Sequence, residues 1–345
     1  MKSPDTKARA SIPDFPIFIG GYRCSGTTLM TNLLDSHPDL LVWPDGSSFF
    51  FDYFPLLELE NYSADEKIDF AVERLVGRIN IAGHGTANNL DVDDLKIEFK
   101  RIIDECPVTP KNILVASMKA FKLWYQPNSK PKSWVLKTAI SHTYATEIME
   151  WFPNAKFIIM LRDPRDIWAS VAGHWQREKD FFHSKRDLLQ NMIEVLRDSI
   201  EFGLSAYDLY GPEKIMFVHY ENLVSEPEKN MKKVADFLGI TYDEILTRPT
   251  VLNIDWQGNN RQGTKFSGIS SFNTKRWLER VDKEEAKIVE HYFSEHMKKL
   301  GYDFHFTHRE RLEAAREHFK WFLYYHKSSS KGETGYLRHF YRMLG

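Results

Sequence analysis

Short apolar runs alternate along the chain with stretches whose apolar residues recur every three to four positions. The apolar runs fall at residues 15–19, 40–42, 133–136, 157–161 and 215–218, and the longest helical patterns fall at 27–34, 184–206, 226–238 and 282–300. Runs of this length bounded by turn residues predict buried strands, and the periodic stretches predict amphipathic helices. Because the two alternate, we predict an α/β fold with a parallel sheet flanked by helices on both faces.

Some segments lie outside this alternation. We predict that residues 1–13 are a flexible polar tail, that residues 14–304 form the main domain, and that residues 305–345 form a C-terminal helical extension rich in basic and aromatic residues. Within the main domain, residues 55–130 are predicted to be a helical insertion. Its helices are expected to begin at the capping residues Ser63, Asp91 and Thr109.

The C-terminal extension carries aromatic residues at helical spacing, namely Phe319, Trp321, Phe322 and Tyr325. Such a stripe more often packs on its own domain, and a membrane-surface or partner-binding helix is the alternative. Residues 250–276 are polar and contain several glycines, so they are predicted to be a mobile loop.

The turn after the first predicted strand has the spacing of a phosphate-binding loop. Gly21 is followed by four residues and then by Gly26, and the predicted helix at 27–34 begins immediately afterwards. The free amides and the positive dipole end of such a helix bind anions. A nucleotide triphosphatase would continue with Lys, whereas Thr27 and Thr28 stand here, which argues against a triphosphate with Mg²⁺. An ordinary glycine turn before a core helix is the alternative.

A second polar cluster follows the strand predicted at 157–161. Asp163 is a suitable N-cap and Pro164 suits the first position of a helix. Arg162 therefore stands at the carboxyl end of the strand, where open α/β sheets bind ligands. Because Ser170 follows about two turns into the helix, we expect Arg162 and Ser170 to converge on one phosphate.

With these two motifs the sequence resembles the sulfotransferase family that uses 3′-phosphoadenosine 5′-phosphosulfate (PAPS). Residues 22–29 resemble its P-loop-like 5′-phosphosulfate loop, and residues 162–170 resemble its Arg-x7-Ser motif for the 3′-phosphate. The resemblance continues through the stretches 134–138, 218–223 and 268–277, and it covers roughly residues 15–300. The pattern is closer to the tyrosylprotein and glycan sulfotransferases than to the cytosolic type. It implies a P-loop-like fold, PAPS as sulfuryl donor, adenosine 3′,5′-bisphosphate (PAP) as product, and no metal.

The resemblance assigns donor binding to the loop, to the Arg-x7-Ser motif, to an aromatic residue for the adenine, and to a segment that closes over the phosphates. These residues are Arg23, Cys24, Ser25, Gly26, Thr27, Thr28, Leu29, Arg162, Ser170, Tyr220, Ser267, Gly268, Ser270 and Arg276. In the family a Lys or Arg usually stands directly before Ser-Gly-Thr, but this chain has Cys24 there. Two replacements for the missing cation stay open: Arg23 could fold inward, or Lys137 could act alone. For Tyr220, a core aromatic at a strand end is the alternative.

Catalysis requires a cation for the leaving group and a base for the acceptor. The resemblance assigns the cation to Lys137, which ends the third predicted strand; a solvated strand-end Lys is the alternative. Ala139 replaces the His that follows the Lys-Thr pair in cytosolic members, so their mechanism does not carry over. Asp45 matches the carboxylate that tyrosylprotein and glycan sulfotransferases use, and His142 is the second candidate. Because residues 43–46 are predicted to be a turn, an ordinary turn Asp is the alternative.

Composition narrows the class of protein. The 345 residues include 46 Lys and Arg against 48 Asp and Glu, a formal net charge of −2, so no nucleic-acid partner is expected. No run approaches the ~20 apolar residues of a membrane span, and the polar N-terminus is unlike a secretory signal, so we expect a cytoplasmic protein. Cys24 and Cys106 are the two cysteines, which implies no disulfide framework, and we expect no metal site.

We therefore predict a sulfotransferase that moves the sulfuryl group of PAPS to a hydroxyl or amine by in-line displacement with a carboxylate base. The acceptor could be a glycan, a peptide tyrosine, a lipid or a small natural product, and the helical insertion either binds it or is a structural cap. A homodimer is left open. The alternatives are a P-loop nucleotide kinase and a non-catalytic nucleotide-binding scaffold.

Overall fold

The computed structural model describes residues 11–47, 49–57, 62–76, 92–138, 140–256, 258 and 268–329. Its strands are β1 (Pro16–Gly20), β2 (Leu40–Gly46), β3 (Ser133–Lys137), β4 (Lys156–Leu161), β5 (Ile215–His219), β6 (Thr250–Val251) and β7 (Ile254–Asp255). Strands β1 to β5 form one sheet in the order β2-β3-β1-β4-β5, and all of its pairings are parallel. The prediction of an α/β fold with a parallel sheet is confirmed.

Side chains of the central strands alternate between two apolar cores, one on each face of the sheet. Phe18 and Phe157 belong to one core, whereas Ile19 and Ile158 belong to the other. Successive residues of a strand point to opposite faces, so a sheet covered on both faces needs apolar residues at every position. This requirement explains why β1 and β3, buried throughout, are encoded as continuous rather than alternating apolar runs.

The strand order places a crevice beyond the carboxyl ends of the strands. β1 is central, β2 and β3 lie on one side of it, and β4 and β5 lie on the other. In open α/β sheets such a reversal of winding direction opens a ligand site beyond the carboxyl ends of the strands. Gly21 and Arg162, which follow β1 and β4, stand at this position.

The helices mostly follow the predicted periodic stretches. They are α1 (Thr27–Leu34), α2 (Phe54–Leu57), α3 (Ala64–Ala71), α4 (Val92–Ile103), α5 (Pro110–Tyr125), α6 (Ala145–Trp151), α7 (Pro164–Ala172), α8 (Trp175–Glu178), α9 (Lys185–Tyr210), α10 (Tyr220–Ser225), α11 (Pro227–Leu238), α12 (Trp277–Arg280), α13 (Lys283–Tyr292), α14 (Ser294–Leu300) and α15 (His308–Ser329). The predicted capping box of Ser63 with Glu66 is confirmed, as is the cap at Thr109. Asp91 lies outside the described residues.

β2 is longer than its apolar run predicts. The predicted turn at 43–46 is wrong, because β2 continues to Gly46, which pairs with Lys137 after a register shift beyond Val42. Pro44 is tolerated within this strand because β2 lies at the edge of the sheet, where a missing amide leaves no neighbouring strand unpaired.

The single helix predicted at 282–300 is divided into α13 and α14. The division falls at Phe293, whose φ of −102° and ψ of 12° leave helical geometry. The Ser294 hydroxyl donates to the carbonyl oxygen of His291 at 2.9 Å. A serine side chain that bonds to a helical carbonyl in this way competes with the backbone ladder.

The helix α15 packs on α9 and α13. Nδ1 of its buried His318 accepts a hydrogen bond from Arg186 Nε at 3.2 Å, and the Arg186 guanidinium lies 5.0 Å from the Trp321 ring. Part of the predicted aromatic stripe thus packs on the protein, whereas Phe319 is 52% exposed and the side chain of Tyr325 lies outside the described residues.

The described helices between β2 and β3 share a core with the sheet. Phe99 of α4 and Phe121 of α5 are fully buried in the same cluster as Trp134 of β3. The domain boundaries given above, including those of this insertion, stay predictions. Nowhere in the described part of the chain is a helix both long enough and apolar enough to cross a membrane.

Candidate functional site

The turn between β1 and α1 depends on two glycines that have close neighbours. Gly21 has φ 130°, and a Cβ at this residue would lie 2.6 Å from the carbonyl oxygen of Met160. Gly26 has φ 99°, and a Cβ there would lie 2.6 Å from the ring of Tyr220. No other residue type fits either position without moving backbone or a buried ring. The loop can therefore lie close against β4 and the Tyr220 ring.

Helix α1 presents an uncapped N-terminus beside a lysine. Its N-cap residue is Gly26, which has no side chain to cap the helix, and no acidic residue lies in the first turn. The amides at residues 27–29 therefore have no partner within the helix. Lys137 Nζ donates to the Thr28 hydroxyl at 2.9 Å, although the Lys137 side chain is largely buried. The site combines free amides, a hydroxyl and a cation, which suits an anionic group.

Asp45 and Lys137 lie at the carboxyl ends of two neighbouring strands, β2 and β3. Gly46, the residue after Asp45, pairs with Lys137, and the Ser47 amide donates to the Lys137 carbonyl at 2.9 Å. The Asp-Gly pair is thus part of an edge strand and not of a turn. The side chain of Asp45 lies outside the described part of the structure, so its role as base stays a prediction.

Arg162 is the centre of the second polar cluster. Its Nη1 donates to the carbonyl oxygen of Cys24 at 2.7 Å and to the Ser170 hydroxyl at 3.3 Å. Its Nη2 donates to the carbonyl oxygen of Asn273 at 2.5 Å, and its guanidinium lies 4.7 Å from the centre of the Tyr220 ring. The structure therefore brings Arg162 and Ser170 together, as their spacing suggested, and joins them to the phosphate-binding loop.

The segment before α12 approaches this cluster. Gly268 has φ 136°, and the Ser270 hydroxyl accepts the amide of Phe272 at 3.2 Å. The guanidinium of Arg276 stacks on Phe272 at 4.1 Å, and its Nε and Nη1 are buried without a hydrogen bond to any described residue. Ser267 lies outside the described residues.

Arg23 is engaged by a carboxylate. Its Nη1 donates to Glu178 Oε1 of α8 at 2.8 Å, and the Glu178 side chain is only 12% exposed. The next residue, Cys24, has φ 68°, a left-handed conformation that is uncommon for a residue with a side chain. The loop thus turns sharply at the position where the family usually has Lys or Arg.

His142 is enclosed between β1 and α9. It lies in the 3₁₀ turn Ser141–Tyr144, and its Nε2 lies 3.0 Å from the carbonyl oxygen and 2.9 Å from the hydroxyl of Ser199. Burial lowers the pKa of His142 to about 4. A general base must come within hydrogen-bond reach of the acceptor, and this imidazole is 1% exposed. The packing disfavours His142 as the second candidate base.

Two residues that the sequence analysis did not name join the site. Asp166 accepts the amides of Lys275 and Trp277 at 2.7 and 3.0 Å, and Asn273 contributes its carbonyl oxygen to Arg162. A signal for Asp166 exists in the sequence, because it precedes Ser170 by four residues and so shares its helix face. No local pattern marks Asn273, whose contact joins distant parts of the chain.

The arrangement offers two anion-binding positions in one crevice. The first is the N-terminus of α1 with Lys137, the second is the pair of Arg162 and Ser170, and the Cys24 carbonyl connects them. Such an arrangement suits a nucleotide that carries phosphates on two different positions of its ribose. Among the residues that the structure describes, no group of three or more His, Cys, Asp or Glu is placed to hold a metal ion.

The parallel sheet and the loop between β1 and α1 define an α/β protein of the P-loop-like class. The model of a family described as "Sulfotransferase family" matches residues 16–244, about two thirds of the chain. The chain belongs to this sulfotransferase family, and the family predicted from the sequence is confirmed.

Individual relatives differ in the acceptors for which they are named. Protein-tyrosine sulfotransferase 1 of Danio rerio is 29% identical over 237 residues, which cover 68% of this chain and 56% of that protein. Omega-hydroxy-beta-dihydromenaquinone-9 sulfotransferase Stf3 of Mycobacterium tuberculosis is 24% identical over 350 residues, which cover 89% of this chain and 80% of that protein. The chain spans about half the length of the vertebrate protein-tyrosine sulfotransferases it matches.

Solved structures share the fold. The sulfotransferase domain from the Synechococcus PCC 7002 olefin synthase has a TM-score of 0.56 at 18% identity, covering 85% of this chain and 96% of that domain. The sulfotransferase domain from the curacin biosynthetic pathway has a TM-score of 0.56 at 17% identity, covering 85% of this chain and 99% of that domain. At this identity the likeness concerns the fold alone.

Proposed function

We propose that this chain is an enzyme that transfers the sulfuryl group of PAPS to a hydroxyl or amine of an acceptor. The observation that carries the proposal is the position of Arg162, which contacts both the Ser170 hydroxyl and the carbonyl of Cys24 in the loop. A 3′-phosphate is the feature that distinguishes PAPS and PAP from ATP. Charge-assisted hydrogen bonds from Arg162 and Ser170 would select it.

The remaining donor contacts surround this pair. The loop amides from Gly26 to Leu29 and the hydroxyls of Thr27 and Thr28 would hold the 5′-phosphosulfate at the N-terminus of α1, whereas the Ser25 amide donates to the Tyr22 carbonyl at 3.1 Å. Tyr220, already beside Arg162, would contact the adenine. From the segment before α12, the residues assigned to the phosphates are Ser267, Gly268, Ser270 and Arg276.

Lys137 would stabilise the leaving group. In the reaction the sulfur–oxygen bond to the 5′-phosphate breaks, a new bond to the acceptor forms, and negative charge develops on the phosphate oxygen. Lys137 already contacts Thr28 in the first turn of α1, whereas the guanidinium of Arg23 is paired through Nη1 with Glu178. We therefore favour Lys137 as the cation that replaces the one missing at Cys24.

Asp45 would accept the proton that the acceptor loses as the new bond forms. Its backbone stands one residue from the partner of Lys137 across the β2–β3 ladder, so the two residues lie near the carboxyl ends of neighbouring strands. A base on the acceptor side and a cation on the leaving-group side meet the opposite demands of in-line transfer.

The acceptor class stays open. A peptide tyrosine and a lipid each have support, because relatives are named for protein tyrosine and for a menaquinone derivative. A glycan and a small natural product stay candidates as well. The helical insertion between β2 and β3 is where we expect acceptor binding. A cytoplasmic location and a homodimer are predictions on which no contact in the structure bears.

Calorimetric titration with PAP and with ATP tests the donor assignment. We expect clear preference for PAP, and equal affinities would overturn the proposal. Labelled PAPS incubated with tyrosine peptides and with hydroxylated lipids would then identify the acceptor. Transfer is expected to survive EDTA, whereas strict dependence on Mg²⁺ would favour the nucleotide kinase.

A further inference from the structure

The segment before α12 is fastened to α7 by one carboxylate. Asp166 Oδ2 accepts the Lys275 amide at 2.7 Å, and Asp166 Oδ1 accepts the Trp277 amide at 3.0 Å. The Asp166 side chain is 1% exposed, so water does not compete for either bond. Both oxygens of a single buried carboxylate thus hold the two amides that flank Arg276.

The backbone at Lys275 adopts an intrinsically unfavourable conformation. Lys275 has φ 57°, in the left-handed region that residues with a Cβ rarely occupy. Such a conformation persists where surrounding contacts impose it, and it is frequent at ligand sites. The bond from Asp166 to the Lys275 amide is a contact of this kind.

A second contact from α7 holds the same segment. The guanidinium of Arg165 lies 4.2 Å from the centre of the Trp277 ring. Arg165 is itself held by Asp163 at 2.6 Å and by Glu290 at 2.5 Å, and all three are buried. Trp277, the residue after Arg276, therefore packs on a rigid ion-pair network of α7 and α13.

The segment that carries Arg276 contacts the pair that we assign to the 3′-phosphate. Asp166 and Ser170 are four residues apart on α7 and so lie on one face of it. Asn273, three residues before Arg276, accepts a hydrogen bond from Arg162. Two buried nitrogens of Arg276 have no partner among the described residues, so donors are available to an anion.

We propose that Asp166 is a positioning residue that holds the backbone on both sides of Arg276, so that its guanidinium joins Arg162 and Ser170 in binding the 3′-phosphate. The inference rests on the proposed function and deepens it. It predicts a change in anion affinity opposite in sign to the one that electrostatics alone would give. Removing a negative charge near a phosphate site should strengthen anion binding by electrostatics alone, whereas losing the clamp should weaken it.

The test is a mutant cycle read by calorimetry with PAP and with AMP, which lacks the 3′-phosphate. Asp166→Asn keeps the shape, but its amide group turns a donor toward one of the two backbone amides. We expect PAP affinity to fall about tenfold, the scale of one charge-assisted hydrogen bond, and AMP affinity to change less than about twofold. In an Arg276→Ala background the same change should have an effect below about twofold.

Asp282→Asn is the matched control, because Asp282 is an exposed carboxylate that caps α13 through the Glu284 amide. It should leave PAP affinity unchanged. The inference is overturned if Asp166→Asn strengthens PAP binding, weakens PAP and AMP alike, or weakens PAP equally in the Arg276→Ala background. Equal wild-type affinity for PAP and ATP would instead overturn the proposed function.

Hydrogen exchange of the wild-type protein tests the clamp without any variant that could fail to fold. The amides of Lys275 and Trp277 should be protected in the absence of nucleotide, although Lys275 itself is exposed. Exchange at these two amides as fast as in an unstructured peptide would show that no clamp exists.

Discussion

The part of the crevice that we assign to the donor and the part that we assign to the acceptor are built in different ways. On the proposed donor side each polar group is fixed by another element: Lys137 by Thr28, Arg162 by Cys24, and the segment before α12 by Asp166. On the proposed acceptor side the described residues between β2 and β3 contribute a buried aromatic core. That core includes Phe49, Phe50, Tyr53, Phe54 and Phe121.

The difference separates the chemistry that a family shares from the specificity that its members do not. Donor contacts follow strand ends and one helix N-terminus, so they are tied to the sheet itself. Relatives named for protein tyrosine and for a menaquinone derivative both resemble this chain, so the acceptor must be chosen elsewhere. The comparison predicts that substitutions on the donor side will separate into effects on turnover and effects on nucleotide affinity.

The largest effect is expected at Lys137, on the donor side. Lys137→Ala removes a cation that we expect to act most strongly in the transition state, so turnover should fall by about 10²–10³ with little change in PAP affinity. Turnover of labelled PAPS and calorimetry with PAP measure the two quantities. Lys132→Ala is the control, because Lys132 is an exposed lysine just before the same strand, paired with Asp39. A variant that lost PAP affinity but kept its turnover would assign Lys137 to binding.

A similar loss is expected at Asp45, on the acceptor side. Asp45→Asn keeps the shape and removes basicity, so turnover should fall by about 10²-fold or more while PAP affinity is unchanged. His142→Gln should retain most of its turnover, because the imidazole is enclosed and bonded to Ser199. If His142→Gln were the inactive variant and Asp45→Asn the active one, the base would be His142, and the buried conformation would have to open during turnover.

A smaller effect is expected at Arg162, which we propose binds the donor without contacting the transferred group. Arg162→Ala should weaken PAP binding by about 1.5–3 kcal/mol, the range for hydrogen bonds to charged groups, and should narrow the difference between PAP and ATP. Arg248→Ala, which removes an exposed arginine paired with Asp255, is the control. An Arg162 variant that bound PAP as tightly as the wild type would remove the observation on which the proposed function rests.

The sequence predicted contacts between neighbouring residues better than contacts between distant segments, for a physical reason. The loop, the helix N-terminus and the Arg162–Ser170 pair are set by residues at most eight apart, and strand ends follow from local apolar runs. Contacts such as Arg23 with Glu178 join residues distant in the chain and leave no periodic signal. Asp166 could have been predicted from the sequence, because its four-residue spacing from Ser170 places both on one helix face.

Errors in the predicted elements have the same origin. β2 continues through Pro44 because it lies at a sheet edge, and edge position is a property of the whole sheet. At the division between α13 and α14, the Ser294 hydroxyl bonds to the carbonyl of His291. The enclosure of His142 depends on α9, whose position relative to β1 no local pattern describes. In each case tertiary packing determined a feature that local sequence propensity does not specify.

The last effect concerns the pH dependence of stability and tests the enclosure of His142, the second candidate base. Burial lowers the pKa of His142 from 6.5 to about 4, so between these values the unfolded state binds more protons than the folded state. The contribution of His142 to the free energy of unfolding should therefore be constant above neutral pH and should fall as the pH drops from 6.5 toward 4, by at most about 1.4 kcal/mol per pH unit. His318, whose pKa burial also lowers to about 4, should add a contribution of the same sign.

Urea unfolding at a series of pH values measures how steeply the free energy of unfolding changes with pH. His142→Gln should reduce this slope and leave the part due to His318, because the two histidines lie on separate elements. If the slope were the same in the wild type and in His142→Gln, His142 would already be accessible to protons in the folded state. It would then be a candidate base again.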